Sequence, residues 1–184
     1  MTNPTYPVYI VSKGRHESMI TSKSLARMKV PHYIVIEPQD EENYEGALDH
    51  FGIRPYVTLL VAPFSNHGDG PGRARNWAWD HAISIGSKAH WVLDDNITDF
   101  YRLHQNKRIR VESGVIFKAA EDFVDRYENV PISGFQYRFF VILTQNYHRL
   151  LSILAFILVC LLETIASIDG VVDIMKIRTF VYEC

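Results

Sequence analysis

Gly70-Pro-Gly-Arg-Ala-Arg-Asn76, followed one helix later by His90-Trp-Val-Leu-Asp-Asp-Asn96, decides how this chain is read. The first piece is a glycine-rich loop that opens a helix carrying two arginines. The second is a short apolar strand ending in two adjacent carboxylates. Phosphate oxygens favour a helix N-terminus and the forked donors of arginine. A divalent metal favours paired carboxylates at the carboxyl end of a strand. Together the two pieces describe a site for a metal-bound nucleoside diphosphate.

Upstream of them the chain alternates apolar strands with amphipathic helices. Val8-Tyr-Ile-Val-Ser12 is β-branched and aromatic, bounded by Pro7 and Gly14, and predicts a buried strand. Ser18 to Lys29 has helical spacing of Met19, Ile20, Leu25 and Met28, and Pro31 stops it. Strands are expected at Tyr33–Glu37 and Tyr56–Val61, with a short acidic helix from Glu41 to His50 between them. A loop from Pro63 to Gly72 leads into a helix from Arg73 to Ile85, with Trp77, Ala78 and Ala82 inward, and then a strand from His90 to Leu93. This order argues for an α/β fold, a parallel sheet with helices on both faces. Such sheets bind ligands beyond the carboxyl ends of their strands. Ser12-Lys-Gly-Arg15, Glu37, the 63–72 loop and Asp94-Asp-Asn96 all fall at that edge.

Beyond Asn96 the chain reads as irregular to about Val111. A helix follows from Gly114 to Tyr127, with Val115, Ala119, Phe123 and Val124 inward, and then a strand from Ile132 to Val141. Composition changes abruptly there. Leu150 to Leu162 is an unbroken apolar run ended by Glu163. A membrane-spanning helix needs about 20 apolar residues. This run is shorter, so a buried helix or an interfacial segment is expected, and no membrane partner.

The chain has 184 residues and a formal net charge of -2. The length suits one domain with a real core. The charge gives no global attraction to nucleic acid, so any such contact must come from a local patch. Met1 to Val11 has no basic segment followed by a long apolar run, so no signal peptide is expected. The two cysteines, Cys160 and Cys184, both lie in the last quarter. That usage fits a reducing cytoplasm and no disulfide framework.

Asp94 and Asp95 are the expected ligands of Mg2+ or Mn2+, with Asn96 a third oxygen donor. The competing reading is a solvated turn at a strand end. Arg75 is placed to hold a phosphate or to stabilise a departing diphosphate, with Arg73 beside it, and Asn76 to bond ribose or base. Exposed arginines in a helix's first turn are common, and the loop is neither a Walker loop nor a G-x-G-x-x-G fingerprint. Lys13 and Arg15 follow the first strand, where Gly14 allows close backbone approach. Glu37 ends the second strand and is a candidate contact to base or ribose. His16, His67 and His90 lack the spacing of a zinc site. Trp77, Trp79 and Trp91 read as core before they read as stacking platforms. A Ser-His-Asp hydrolase reading lacks a G-x-S-x-G elbow.

Four pieces in order resemble the TET-associated glycosyltransferase family, nucleotide-diphospho-sugar transferases of GT-A fold found largely in phages and bacteria. They are Pro7-Val-Tyr-Ile-Val-Ser-Lys-Gly-Arg15, Tyr33-Ile-Val-Ile-Glu-Pro38, Gly72-Arg-Ala-Arg-Asn76 and Trp91-Val-Leu-Asp-Asp-Asn96. The resemblance covers residues 1–141. It implies a Rossmann-like nucleotide-sugar domain, with Asp94 and Asp95 in the place of the family's metal-binding acidic motif. It also implies sugar transfer to hydroxymethylated pyrimidines in DNA, the products of TET-like dioxygenases, in a host cytoplasm. Two other classes share these residues: a metal-dependent nucleotidyltransferase and a non-catalytic nucleotide-binding remnant. Turnover of nucleoside triphosphates marks the first, and metal-independent nucleotide binding the second.

Residues 142–184 depart from the family's pattern, which continues with a segment like KLPPFILNTRVYSC and later an acidic RWRGRYNEDTDL. Codons built from the third base of each residue and the first two of the next restore both. Ile168 to Cys184 can then encode RWRGRYNEDTDLCLRM throughout, and Gln145 to Cys160 permits KLPPFILNTRVYSC. One letter is forced, because Met175 then Lys176 gives GAA, glutamate. The tail is therefore read as frameshifted near Ile142, an aberrant helical tail on a truncated domain. The lost acidic segment resembles the place where GT-A enzymes keep the base that activates the acceptor. The catalytic base is accordingly unassigned, and impaired activity is expected.

Overall fold

The computed structural model describes residues 3–66, 68, 70–136 and, as backbone alone, 178–182. Its strands are β1 (Val8–Val11), β2 (His32–Ile36), β3 (Val57–Val61), β4 (Ala89–Asp94), β5 (Tyr101–His104), β6 (Lys107–Arg110), β7 (Ile132–Ser133) and β8 (Arg178–Tyr182). Its α-helices are α1 (Ile20–Arg27), α2 (Glu41–Phe51), α3 (Gly72–Ser84) and α4 (Val115–Val124). Six strands form one sheet in the order β3-β2-β1-β4-β8-β7. Every pairing in that sheet is parallel.

Side chains of a strand alternate between the two faces of a sheet, and the core divides accordingly. Val8, Ile10, Ile34, Ile36, Trp91 and Leu93 face one side, where they meet Leu25 and Met28 of the α1 segment, Leu48 of α2 and Phe117 of α4. Tyr9 and Val35 face the other side against Ala78 and Ala82 of α3. Trp91 is fully buried. Its ring meets Phe117 edge-on at 5.0 Å and stacks on Phe135 at 5.1 Å. Truncating a buried aromatic of this kind to alanine costs about 3–5 kcal/mol.

One buried carboxylate ties the far helix to this core. Glu121 of α4, fully buried, accepts from Trp91 Nε1 at 2.9 Å and from the backbone N–H groups of Thr5 (2.7 Å) and Tyr6 (3.2 Å). The expected inward face of this helix holds at Val124 and is corrected at Val115, Ala119 and Phe123. Val115 and Phe123 are 45% and 43% exposed, Ala119 is exposed, and Phe117, Glu121 and Val124 point in. A polar residue with three donors waiting for it outcompetes the apolar positions that periodicity favours.

The first four strands and three helices fall where the sequence puts them, within a residue or two. The segment expected to be irregular does not. Tyr101–His104 and Lys107–Arg110 pair as an antiparallel ribbon of their own. Gln105 and Asn106 both have positive φ (48° and 60°), the signature of a two-residue hairpin turn. Of the strand expected over 132–141, Ile132–Ser133 is extended, and residues from 137 lie outside those described. So do the apolar run 150–162 and both cysteines. The described part of the tail, Arg178–Tyr182, is a strand between β4 and β7. Among the described residues no helix is long and apolar enough to cross a membrane.

Candidate functional site

In this strand order β2 lies on one side of β1 and β4 on the other. The connections leaving the carboxyl ends of β1 and β4 therefore part in opposite directions and open a crevice between them, the usual ligand position in such sheets. A cavity of about 480 Å³ occupies that place. Lys13, Arg15, Glu37, Arg73, Arg75, Asp94, Asp95 and Asn96 all line it. Of the residues expected from sequence, Asn76 alone does not.

Strand ends and loops position the two carboxylates. β1 pairs with β4 so that Val11 lies opposite Asp94. Thr21, in the first turn of α1, bonds the main chain on both sides of the motif. Its Oγ1 donates to Asp94 O at 2.6 Å and its N–H donates to Asp95 O at 3.3 Å. The same hydroxyl accepts the Ile97 N–H at 2.8 Å.

The carboxylates differ in what they hold. Arg75 Nη2 donates to Asp94 Oδ1 at 3.0 Å. Asp94 Oδ2 accepts no hydrogen bond from the described residues. Asp95 uses both oxygens: Arg15 Nη1 donates to Oδ1 and Ser12 Oγ donates to Oδ2, each at 2.7 Å. Because Ser12 gives its proton to Asp95, the 2.7 Å bond between Ser12 Oγ and Tyr44 must have Tyr44 as donor. The Arg15 N–H in turn donates to the Tyr44 hydroxyl at 3.1 Å. Burial raises the Tyr44 phenol above its ordinary value, against the Ser12 and Arg15 hydrogen bonds, so it stays neutral. Tyr44 and Thr21 were missed in the sequence. Neither belongs to a motif, and only the fold brings them to β4.

Glu37 is also engaged by protein. Its Oε1 accepts from Lys13 Nζ at 2.8 Å, and its Oε2 from Gln39 Nε2 at 2.6 Å and from the Asn66 N–H at 2.8 Å. Partial desolvation works against its ionised form. The Asn66, Lys13 and Gln39 bonds outweigh it and hold the carboxyl down at about 2. Ser65 Oγ donates to Gln39 Oε1 at 2.7 Å, so the loop after β3 is fastened to the end of β2 at two adjacent residues.

Gly14 has φ +63°, a left-handed backbone that glycine adopts without strain, and its N–H donates to Asp40 at 3.0 Å. Arg73 and Ala74 bring the first turn of α3 to the cavity, with Gly70 and Pro71 before them. The first amides of a helix have no intrahelical acceptor and point at whatever sits there.

The histidines and tryptophans fall elsewhere. His90 and Trp91 are buried in the sheet, Trp79 is 38% exposed, and His67 lies outside the described residues. Among the described residues no three His, Cys, Asp or Glu side chains group closely enough to hold a metal.

A parallel α/β sheet with arginines and carboxylates meeting at its switch point defines a Rossmann-like protein with a polar ligand site. A family model described as TET-Associated Glycosyltransferase matches residues 6–180, and the chain belongs to that family. Glycosyl transfer is the activity the family implies. The match runs past Val141, where the resemblance read from the sequence ends. No curated protein and no solved structure matches the chain.

Proposed function

We propose that the cavity between β1 and β4 takes a metal-bound nucleotide-sugar, and that the protein is built to pass its sugar to a hydroxyl, that of a hydroxymethylated pyrimidine in DNA. The observation that carries this reading is the meeting of three arginines, three carboxylates and a helix N-terminus in one cavity of about 480 Å³. Arg75, Arg15 and the first turn of α3 are donors for diphosphate oxygens. Asp94 and Asn96 are oxygen ligands of the kind a hard cation takes. The donor set fits Mg2+ or Mn2+, because among the described residues Asp94 keeps one carboxylate oxygen uncommitted while Asp95 has none. When bound, such an ion would neutralise charge on the departing diphosphate.

In this reading the two carboxylates divide the work. Asp94 holds the ion. Asp95 orients Arg15 toward the phosphates through the chain of bonds from Tyr44 and Ser12. Glu37 secures Lys13 and the 65–66 loop at the rim, in place of the direct base contact expected of it. The test is hydrolysis or transfer of sugar from a panel of nucleoside-diphosphate sugars, with nucleoside triphosphates as the control. Turnover of triphosphates without sugar release would overturn it.

The tail belongs to the same proposal. The coincidence of codons from Gln145 onward supports a frameshift near Ile142, with the family match through residue 180 weighing on the other side. Under the frameshift the acceptor base is missing and transfer is impaired. Resequencing the gene across codons 138–150 divides the two sources of the shift: an added or missing base places it in the original sequencing and restores the acidic segment, and the sequence as written makes this a genuine frameshifted product with impaired transfer.

A further inference from the structure

We infer that the β5–β6 ribbon is the element that docks duplex DNA. It rests on the proposed reading only in taking a DNA polymer as the acceptor. The ribbon, Tyr101 to Arg110, carries Arg102, Lys107, Arg108 and Arg110 and no acidic residue, in a chain whose net charge is -2. It is a local cationic patch on a chain otherwise acidic in balance. Duplex binding draws most of its affinity from such patches.

The shape fits as well as the charge. Among the described residues the ribbon pairs with no other strand, and every residue from Arg102 to Arg110 is exposed. Leu103 and Ile109 are 48% and 36% exposed and are not part of the core. Residues opposite one another in an antiparallel pair share a face. The register therefore puts Arg108 and Arg110 on one face, and Arg102 and Lys107 with His104 on the other. Cations on both faces suit a ribbon entering a groove walled by phosphates on each side. The B-form major groove, about 12 Å wide, admits a two-stranded ribbon. The deep, narrow major groove of an A-form RNA helix does not.

Its root is fixed. Phe100 is buried, and Val111 N–H donates to Phe100 O at 2.9 Å. Asp99 pairs with Arg27 of α1 and lies 3.8 Å from Arg110, which also holds Glu112 at 2.7 Å. Six residues lead from Asp95 to Tyr101, so the ribbon begins within about 20 Å of the carboxylates. That is about the width of a duplex, short enough for DNA held by the ribbon to present a base to the cavity.

The experiment is fluorescence anisotropy of the whole chain with labelled duplex DNA at salt from roughly 50 to 200 mM. It compares wild type with the double variant Arg102→Gln/Lys107→Gln, two exposed side chains outside the cavity. Wild type is expected to bind with steep salt dependence. The double variant should lose about tenfold at low salt, with its log–log slope reduced by about two. The conservative pair Arg102→Lys/Lys107→Arg should bind as wild type. Nucleoside-diphosphate binding, measured in parallel by calorimetry, should be the same in all three. Equal DNA binding by the double variant, no binding by wild type, or equal binding of an RNA duplex would overturn the inference. A ribbon effect alongside absent nucleoside-diphosphate binding supports the inference while refuting the donor-site reading.

Discussion

Arg15 Nη1 lies 2.7 Å from Asp95 Oδ1, joining the turn after β1 to the end of β4 across the mouth of the crevice. Asp94, one residue earlier, faces Arg75 from the opposite wall at 3.0 Å. Each carboxylate therefore meets a guanidinium, and the two differ in what remains. Among the described residues Asp95 has both oxygens taken, whereas Asp94 keeps one.

That difference separates two substitutions. Asp95→Asn removes the charge that two donors share, and a hydrogen bond to a charged group is worth about 1.5–3 kcal/mol. Its urea midpoint should fall accordingly. Asp94→Asn breaks one partly exposed pair, worth at most about 1 kcal/mol, so its midpoint should barely move. Its Mn2+ affinity in the presence of nucleoside diphosphate should fall at least about tenfold, about 1.4 kcal/mol. Equal destabilisation by both would refute the division of labour.

Glu121 is the strongest single test of the fold. Glu121→Ala leaves Trp91 Nε1 and the Thr5 and Tyr6 amides without their acceptor. An unsatisfied buried donor costs about 1–3 kcal/mol; Trp91 Nε1 is buried, and the bonds from the Thr5 and Tyr6 amides are partly buried. Chemical denaturation should show a loss of about 2 kcal/mol or more, and Glu121→Gln, which keeps one acceptor oxygen, a smaller one. A loss below about 1 kcal/mol for the alanine variant would contradict this packing.

Two buried histidines set the acid limit. Burial pushes both His32 and His90 from 6.5 down to about 4. In His32 the Val30 carbonyl works weakly the other way. That carbonyl accepts from Nδ1, so Nε2 accepts the Ser22 hydroxyl at 2.7 Å and the ring is neutral. A base whose folded pKa is depressed binds fewer protons folded than unfolded, so stability rises with pH across the interval. The contribution is complete above about pH 6.5 and is lost as pH falls through about 4. Urea midpoints should drop between pH 7 and pH 4, and His90→Gln should flatten that slope. An unchanged slope would contradict the buried neutral ring.

Glu37 fastens a loop, and amide exchange reads that directly. Glu37→Gln weakens the bond from Asn66 N–H and releases Lys13. Hydrogen exchange over residues 63–70 should quicken several-fold while the β1 and β4 amides stay protected. The depressed carboxyl stabilises the fold above about pH 4.5, and that support fades as pH falls toward 2.

The sheet and its edge were legible because apolar runs alternate with helical spacing and because Pro and Gly punctuate them. Lys13, Arg15, Arg75 and Asp94 follow strand ends or open a helix, and a parallel sheet gathers such positions at one edge. What was not legible depends on partners far apart in sequence. Tyr44 reaches Ser12 and Arg15 from α2 with no motif to announce it. Glu121 turned α4 by drawing Trp91 and the N-terminal amides to itself. The ribbon was hidden because its turn is Gln105-Asn106, without glycine, and because its outward faces carry charge where strand patterning expects apolar residues. Asn76 sits one position past the arginine that reaches the cavity, and a helix carries adjacent positions about 100° apart.

Binding of the metal and the diphosphate to one cavity is the central claim. Calorimetry of the whole chain with ADP, CDP, GDP, UDP and dTDP, each with and without Mn2+, tests it most directly. The account predicts that at least one binds with Mn2+, weakens at least about tenfold without it, and is lost in Asp94→Asn and Arg75→Ala. Binding of none, or binding equally tight without metal and in both variants, would contradict it.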